Sequence, residues 1–114
     1  MEEAKVTDRR SHPRRAMTGW VEIWGQGADD TLSGYVSNVS LGGIAVYTKE
    51  ILSPGTTVLI TIHFFGKQRL ESVRAIRGEV VSSLKLDKNF QLGIRFLEPI
   101  SKENGSALFT YLTE

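Results

Sequence analysis

The sequence contains no cysteine, which excludes disulfide scaffolds, thiolate metal sites and cysteine nucleophiles together. A small domain without disulfides also suits a reducing compartment. Long apolar runs are missing too: nowhere does hydrophobicity persist over the ~20 residues that a bilayer-spanning helix requires. Residues 1–15 carry charges where a secretory leader needs an apolar stretch, so a soluble, cytoplasmic protein without membrane insertion is expected. A surplus of one charge sign is also lacking. Lys and Arg number 14 against 13 Asp and Glu, a formal net charge of +1, which speaks against nucleic acid as a partner for the whole surface. There is no phosphate-cradling glycine loop of the Walker or dinucleotide type, and no nucleophile–base pair or metal-spaced cluster. No enzyme activity, cofactor or metal is expected.

What is present reads as one globular domain. The chain has 114 residues, enough for a single core and too few for two. Its periodicity is mostly that of strands. Met17, Val21 and Ile23 share one face, with Trp20, Glu22 and Trp24 on the other. Gly25, Gly27 and Asp29-Asp30 mark a turn, and strands follow from about Leu32 to Val39 and from Ile44 to Thr48. Ser53-Pro54-Gly55 is a second turn signal ahead of Thr56 to Phe65, where Val58, Ile60, Ile62 and Phe64 alternate. Gly66-Lys67 reads as a hairpin turn, and Leu70 to Leu84 as a bent strand with a bulge or corner at Gly78. Phe90, Leu92, Ile94 and Phe96 give the last alternating set. After Pro99, Ser101 caps a short helix whose Leu108, Tyr111 and Leu112 share a face, with Gly105 weakening its first turn. Such a series favours a closed or nearly closed antiparallel barrel.

Two short motifs carry the functional reading. In Arg9-Arg10-Ser11-His12-Pro13-Arg14, the arginines at 10 and 14 form an R-x-x-x-R spacing, and Arg15 follows. Arginine suits phosphate because its planar fork donates two parallel, charge-assisted hydrogen bonds. Pro13 stiffens the segment and holds His12 away from helical geometry. Taken alone, the spacing favours a solvated basic arm. The second motif is Asn38-Val39-Ser40-Leu41-Gly42-Gly43, an N-x-S-x-x-G run at a strand end. Asn38 and Ser40 can reach a base edge or a phosphate, and Gly43 lets the backbone turn or approach a ligand. Taken alone, this run favours a side-chain-stabilised turn.

Together, in this order and followed by strands and a short helix, the two motifs resemble the PilZ domain family. The resemblance runs from Arg9 to Leu112 and includes the final strand Leu92-Gly93-Ile94-Arg95-Phe96-Leu97. It implies a mainly β fold: a six- or seven-stranded antiparallel barrel over residues 17–114 with a short C-terminal α-helix, preceded by a flexible arginine segment over residues 1–16. It also implies a receptor for cyclic di-GMP in which that segment closes over bound nucleotide and switches contact with a downstream protein. Arg10 and Arg14 would hold phosphate and the guanine Hoogsteen edge; Asn38 and Ser40 would contact guanine or phosphate from the barrel. Gly43 would give the ligand room, and Gly42 and Arg95 complete the ligand-binding set. Arginine at position 9 implies a stacked pair of nucleotides. Asparagine stands at 38 where aspartate is commoner in the family. Ser82 and Ser83 stand where some members stack a tryptophan on guanine. The alternative is a PilZ-like module that binds only proteins. Trp20 and Trp24 face away from the core side, for helix or loop packing or as a surface for a partner or for self-association as a homodimer. His12, His63 and Asp29-Asp30 are read as structural or solvated residues.

Overall fold

The structure, a computed structural model, describes residues 13–25 and 31–113. Seven strands and one helix follow in order: β1 (Arg15–Ala16), β2 (Gly19–Gly25), β3 (Thr31–Val39), β4 (Gly43–Thr48), β5 (Thr57–Phe65), β6 (Leu70–Lys85), β7 (Phe90–Phe96) and α1 (Lys102–Thr113). All pairings are antiparallel, in the order β1-β3-β2-β5-β6-β7-β4, and β4 pairs back onto β3. That last pairing closes a six-stranded barrel, with β1 as an extra strand on β3. Closure satisfies backbone groups that an open sheet would leave at its edges.

Alternation along the strands decides which residues fill the barrel. Val21 and Ile23 of β2, Ile44 and Val46 of β4, and Val58, Ile60, Ile62 and Phe64 of β5 are all buried. Val39, Val73, Ile76, Val80, Leu92, Ile94 and Phe96 add to the inner layer, and Ile100 and, on α1, Leu108 join them from the C-terminal end. Met17 precedes β2 but turns into the same core, as its place on the Val21–Ile23 side predicts. The helix begins as expected. Ser101 Oγ accepts from the Asn104 amide at 3.3 Å, while Asn104 Oδ1 accepts from the Ser101 amide at 2.8 Å, a reciprocal cap. Gly105 interrupts the helical backbone and is buried, where a Cβ would stand 3.2 Å from Val73 Cγ1. Tyr111 packs edge-on to Phe64, with ring centroids 5.5 Å apart.

The bend of β6 lies elsewhere than the sequence reading placed it. Gly78 is in register with Val58 on one side and Phe96 on the other. Its lack of a side chain serves close packing, since a Cβ there would meet Ile94 Cγ2 at 2.8 Å. The irregularities fall on either side. Two residues, Arg74 and Ala75, oppose Thr61 between the Ile62–Val73 and Ile60–Ile76 pairs, and Val81 is the extra residue between Val80 and Ser82. A third bulge, in β3, leaves Ser37 without a cross-strand partner between Val36 and Asn38. The turn expected at Asp29-Asp30 lies outside the described residues.

Candidate functional site

Strand β1 brings the end of the arginine segment against the second motif. Arg15 pairs with Val39 and Ala16 with Asn38, so Arg14, one residue earlier, arrives beside the Asn38 side chain. Its Nη1 donates to Asn38 Oδ1 at 2.8 Å, joining groups 24 positions apart in sequence. The next arginine goes another way. Arg15 Nη1 donates to the Tyr111 carbonyl in the last turn of α1 at 2.9 Å, and its guanidinium carbon stands 6.0 Å from the centre of the Tyr111 ring. Arg9 and Arg10 lie outside the described residues, as does His12.

Asn38 is half-buried and reaches Ser37 as well, Nδ2 donating to Ser37 Oγ at 3.3 Å. Ser37 Oγ in turn donates to the Tyr47 hydroxyl at 3.3 Å. Neither Ser37 nor Tyr47 figures in the sequence reading of the site. Tyr47 had a legible signal, an exposed aromatic between the inward Val46 and Thr48. Ser37 had none, because only the bulge sets it beside Asn38.

In the Ser40–Gly43 turn, the serine is engaged by backbone groups of the turn itself. Ser40 is 4% exposed, and its Oγ accepts from the amides of Gly42 at 3.1 Å and Gly43 at 3.2 Å. Its own amide donates to the Gly43 carbonyl at 2.8 Å. Beyond the turn, the Leu41 and Gly42 carbonyls accept from the Ile100 and Phe96 amides at 2.8 and 2.9 Å. The serine therefore holds the turn together, in the manner of an ST-type turn. The close approach at Gly43 is to the neighbouring strand: a Cβ there would lie 2.6 Å from the Ile94 carbonyl oxygen. Arg95 sits opposite Gly43 on β7, and its Nη2 is 2.7 Å from Glu79 Oε1.

Trp20 stacks on His63 with centroids 5.0 Å apart, and His63 bridges Ser72 at 2.8 Å and Glu22 at 3.3 Å. This accounts for Trp20 and His63 as parts of the barrel's outer layer, while Trp24 is 37% exposed. A groove of about 590 Å³ beside Tyr47 is lined by Trp20, Tyr35, Lys49 and Asn89 among others, and one of about 460 Å³ runs between α1 and the β5–β6 hairpin. Arg14, Asn38, Ser40, Gly43 and Arg95 line neither. Of the motif residues, Arg14 is exposed and Asn38 half-buried, whereas Ser40 and Gly43 are buried. At β6, Ser82 faces Gly93 and Ser83 faces Leu92. Among the described residues no group of three His, Cys, Asp or Glu side chains gathers to hold a metal, and no helix is long and apolar enough to cross a membrane.

No curated protein matches the sequence closely enough to serve as a relative. Solved structures do match the fold. "Inhibitor of motility" MotI/DgrA of Bacillus subtilis superposes with a TM-score of 0.73 at 18% identity, over 90% of this chain and 49% of that one. The PilZ domain of YcgR from Escherichia coli, solved with cyclic di-GMP, gives 0.66 at 17% identity over 92% of both chains. YcgR in complex with cyclic di-GMP gives 0.68 at 17% identity, over 90% of this chain and 44% of that one. The chain therefore spans about half the length of MotI and of the longer YcgR chain. At these identities the likeness speaks for the barrel and its closing helix. The sequence itself carries the family signature: the PilZ domain family matches residues 8–114, a span that takes in both motifs, every strand and the helix. The chain belongs to the PilZ domain family.

Proposed function

We propose that this chain is a receptor module that binds cyclic di-GMP on the barrel face at Asn38 and leaves it chemically unchanged. The observation that supports the reading is the 2.8 Å bond from Arg14, the last arginine of the first motif's spacing, to Asn38 of the second. Arg14 offers a guanidinium fork to phosphate or to the acceptor edge of guanine, and Arg10, four residues earlier, is assigned the same role. Asn38 supplies a carbonyl acceptor. The Ser40 turn acts as a rigid support behind it, and Arg95 with Glu79 borders the face. The arginine segment closes over the nucleotide as a second wall, and the closed segment then offers a downstream protein a new surface. Arg9 favours a stacked pair of nucleotides.

The alternative is a PilZ module that binds proteins only. Ser40 and Gly43 are required by the turn and by β7 whether or not a ligand binds, so their presence says nothing about nucleotide. The weight rests on Arg10, Arg14 and Asn38. Calorimetric titration with cyclic di-GMP separates the readings. The receptor predicts saturable binding at about micromolar Kd or tighter, near −8 kcal/mol, with the nucleotide recovered intact; the alternative predicts no heat.

A further inference from the structure

The Asn38 amide has two ends of similar shape and opposite chemistry, and its surroundings decide which end meets the ligand. Arg14 carries only donors, so the atom facing it at 2.8 Å is the carbonyl oxygen. The other end, Nδ2, is directed to Ser37 Oγ at 3.3 Å. Successive residues of a regular strand point to opposite faces, and Ser37 would then be turned away from Asn38. The bulge removes that constraint. Ser37 is the extra residue between Val36, paired with Val46, and Asn38, paired with Ala45. Its hydroxyl reaches the outer face, where it also bonds Tyr47 at 3.3 Å. On β4, Ile44 and Val46 are fully buried, which leaves Tyr47 outward and within reach of this hydroxyl.

We infer that Tyr47, acting through Ser37, is a positioning residue that fixes the Asn38 amide with its carbonyl towards the nucleotide. The inference rests on the receptor reading and adds a specificity to it. Ser37 spends its one proton on Tyr47 and therefore presents a lone pair to Asn38, which only the NH₂ end can use. Asn38 then meets the ligand as an acceptor, suited to the ring N–H and exocyclic NH₂ of guanine. It also keeps Arg14 in place until a ligand competes for it. An aspartate at this position would be acceptor at both ends and would need no such control.

The test follows from that symmetry. Tyr47→Phe keeps the ring and removes only the hydroxyl. It is expected to weaken cyclic di-GMP binding about three- to tenfold, the range of one lost hydrogen bond, with an unchanged melting temperature. In the Asn38→Asp background the same change is expected to leave affinity within about twofold, because a carboxylate has no wrong end. Equal losses in both backgrounds, or no loss in the native one, would overturn the inference. A readout independent of ligand separates this from failure of the receptor reading. In the free protein, Tyr47→Phe is expected to shift the Asn38 side-chain NH₂ resonances, and unchanged resonances would overturn the positioning role even where nucleotide binds.

Discussion

Ala75 holds a φ of 59°, the left-handed region where a side chain crowds the following carbonyl. It sits in the β6 bulge opposite Thr61, and the bulge needs that backbone turn. Glycine takes the same conformation without the Cβ penalty, at a cost in unfolded-chain entropy. Ala75→Gly is therefore expected to be neutral or to stabilise by up to about 1 kcal/mol, measured by urea unfolding. A loss above about 1 kcal/mol would contradict strain at this position. The position also shows what a sequence cannot display. Gly78 looked like the natural corner of β6 because glycine marks bulges, yet it is in register and packs against Ile94. Alanine carries no such mark. Asn38 was legible as a polar residue at a strand end. Its partner Ser37 was not, because a one-residue slip in register decides which side chains share a face.

At the scale of elements, β1 ties two parts of the molecule that the sequence reading kept separate. The boundary was expected at Met17, with all residues before it in a flexible segment. The structure pairs Arg15–Ala16 with β3 and sends the Arg15 side chain to the far end of α1. The last turn of that helix has no basic residue of its own. Its terminal carbonyls lack helical partners, and a cation there offsets the negative end of the dipole. Arg15→Ala is expected to speed amide exchange over residues 110–113 and to cost about 1 kcal/mol or less. Exchange at the same rate as the unchanged chain would show that the helix end does not depend on this contact. The helix start was legible because capping is local: Ser101 and Asn104 are three residues apart. Its end was not, since the cap comes from a residue 96 positions away.

For the whole molecule, the barrel could be read from alternation because each strand buries one face in one core, and residues two apart betray that face. Val58, Ile60, Ile62 and Phe64 are all fully or almost fully buried. The order of the strands around the barrel, with β4 closing onto β3 and β7, depends on distant pairings that alternation does not encode. The same holds for the site, where the motif pair was visible but the meeting of Arg14 with Asn38 needed β1 on β3. If the arginine segment closes over nucleotide, hydrogen exchange should slow at residues 9–16 when cyclic di-GMP is added and change little in β5. Equal exchange with and without ligand would leave binding without a switch.

The central claim is that arginine geometry, and not diffuse positive charge, creates a nucleotide site at Asn38. Lysine keeps the charge and loses the fork. Calorimetric titration of the unchanged protein, Arg14→Lys and Arg15→Lys with cyclic di-GMP at one salt concentration tests this directly. The account predicts binding at about micromolar Kd or tighter for the unchanged protein. Arg14→Lys should weaken it roughly tenfold to a hundredfold, and Arg15→Lys, whose partner is the helix end, less than about fivefold. Equal losses for the two variants, or no binding heat from the unchanged protein at about 50 μM nucleotide, would contradict it.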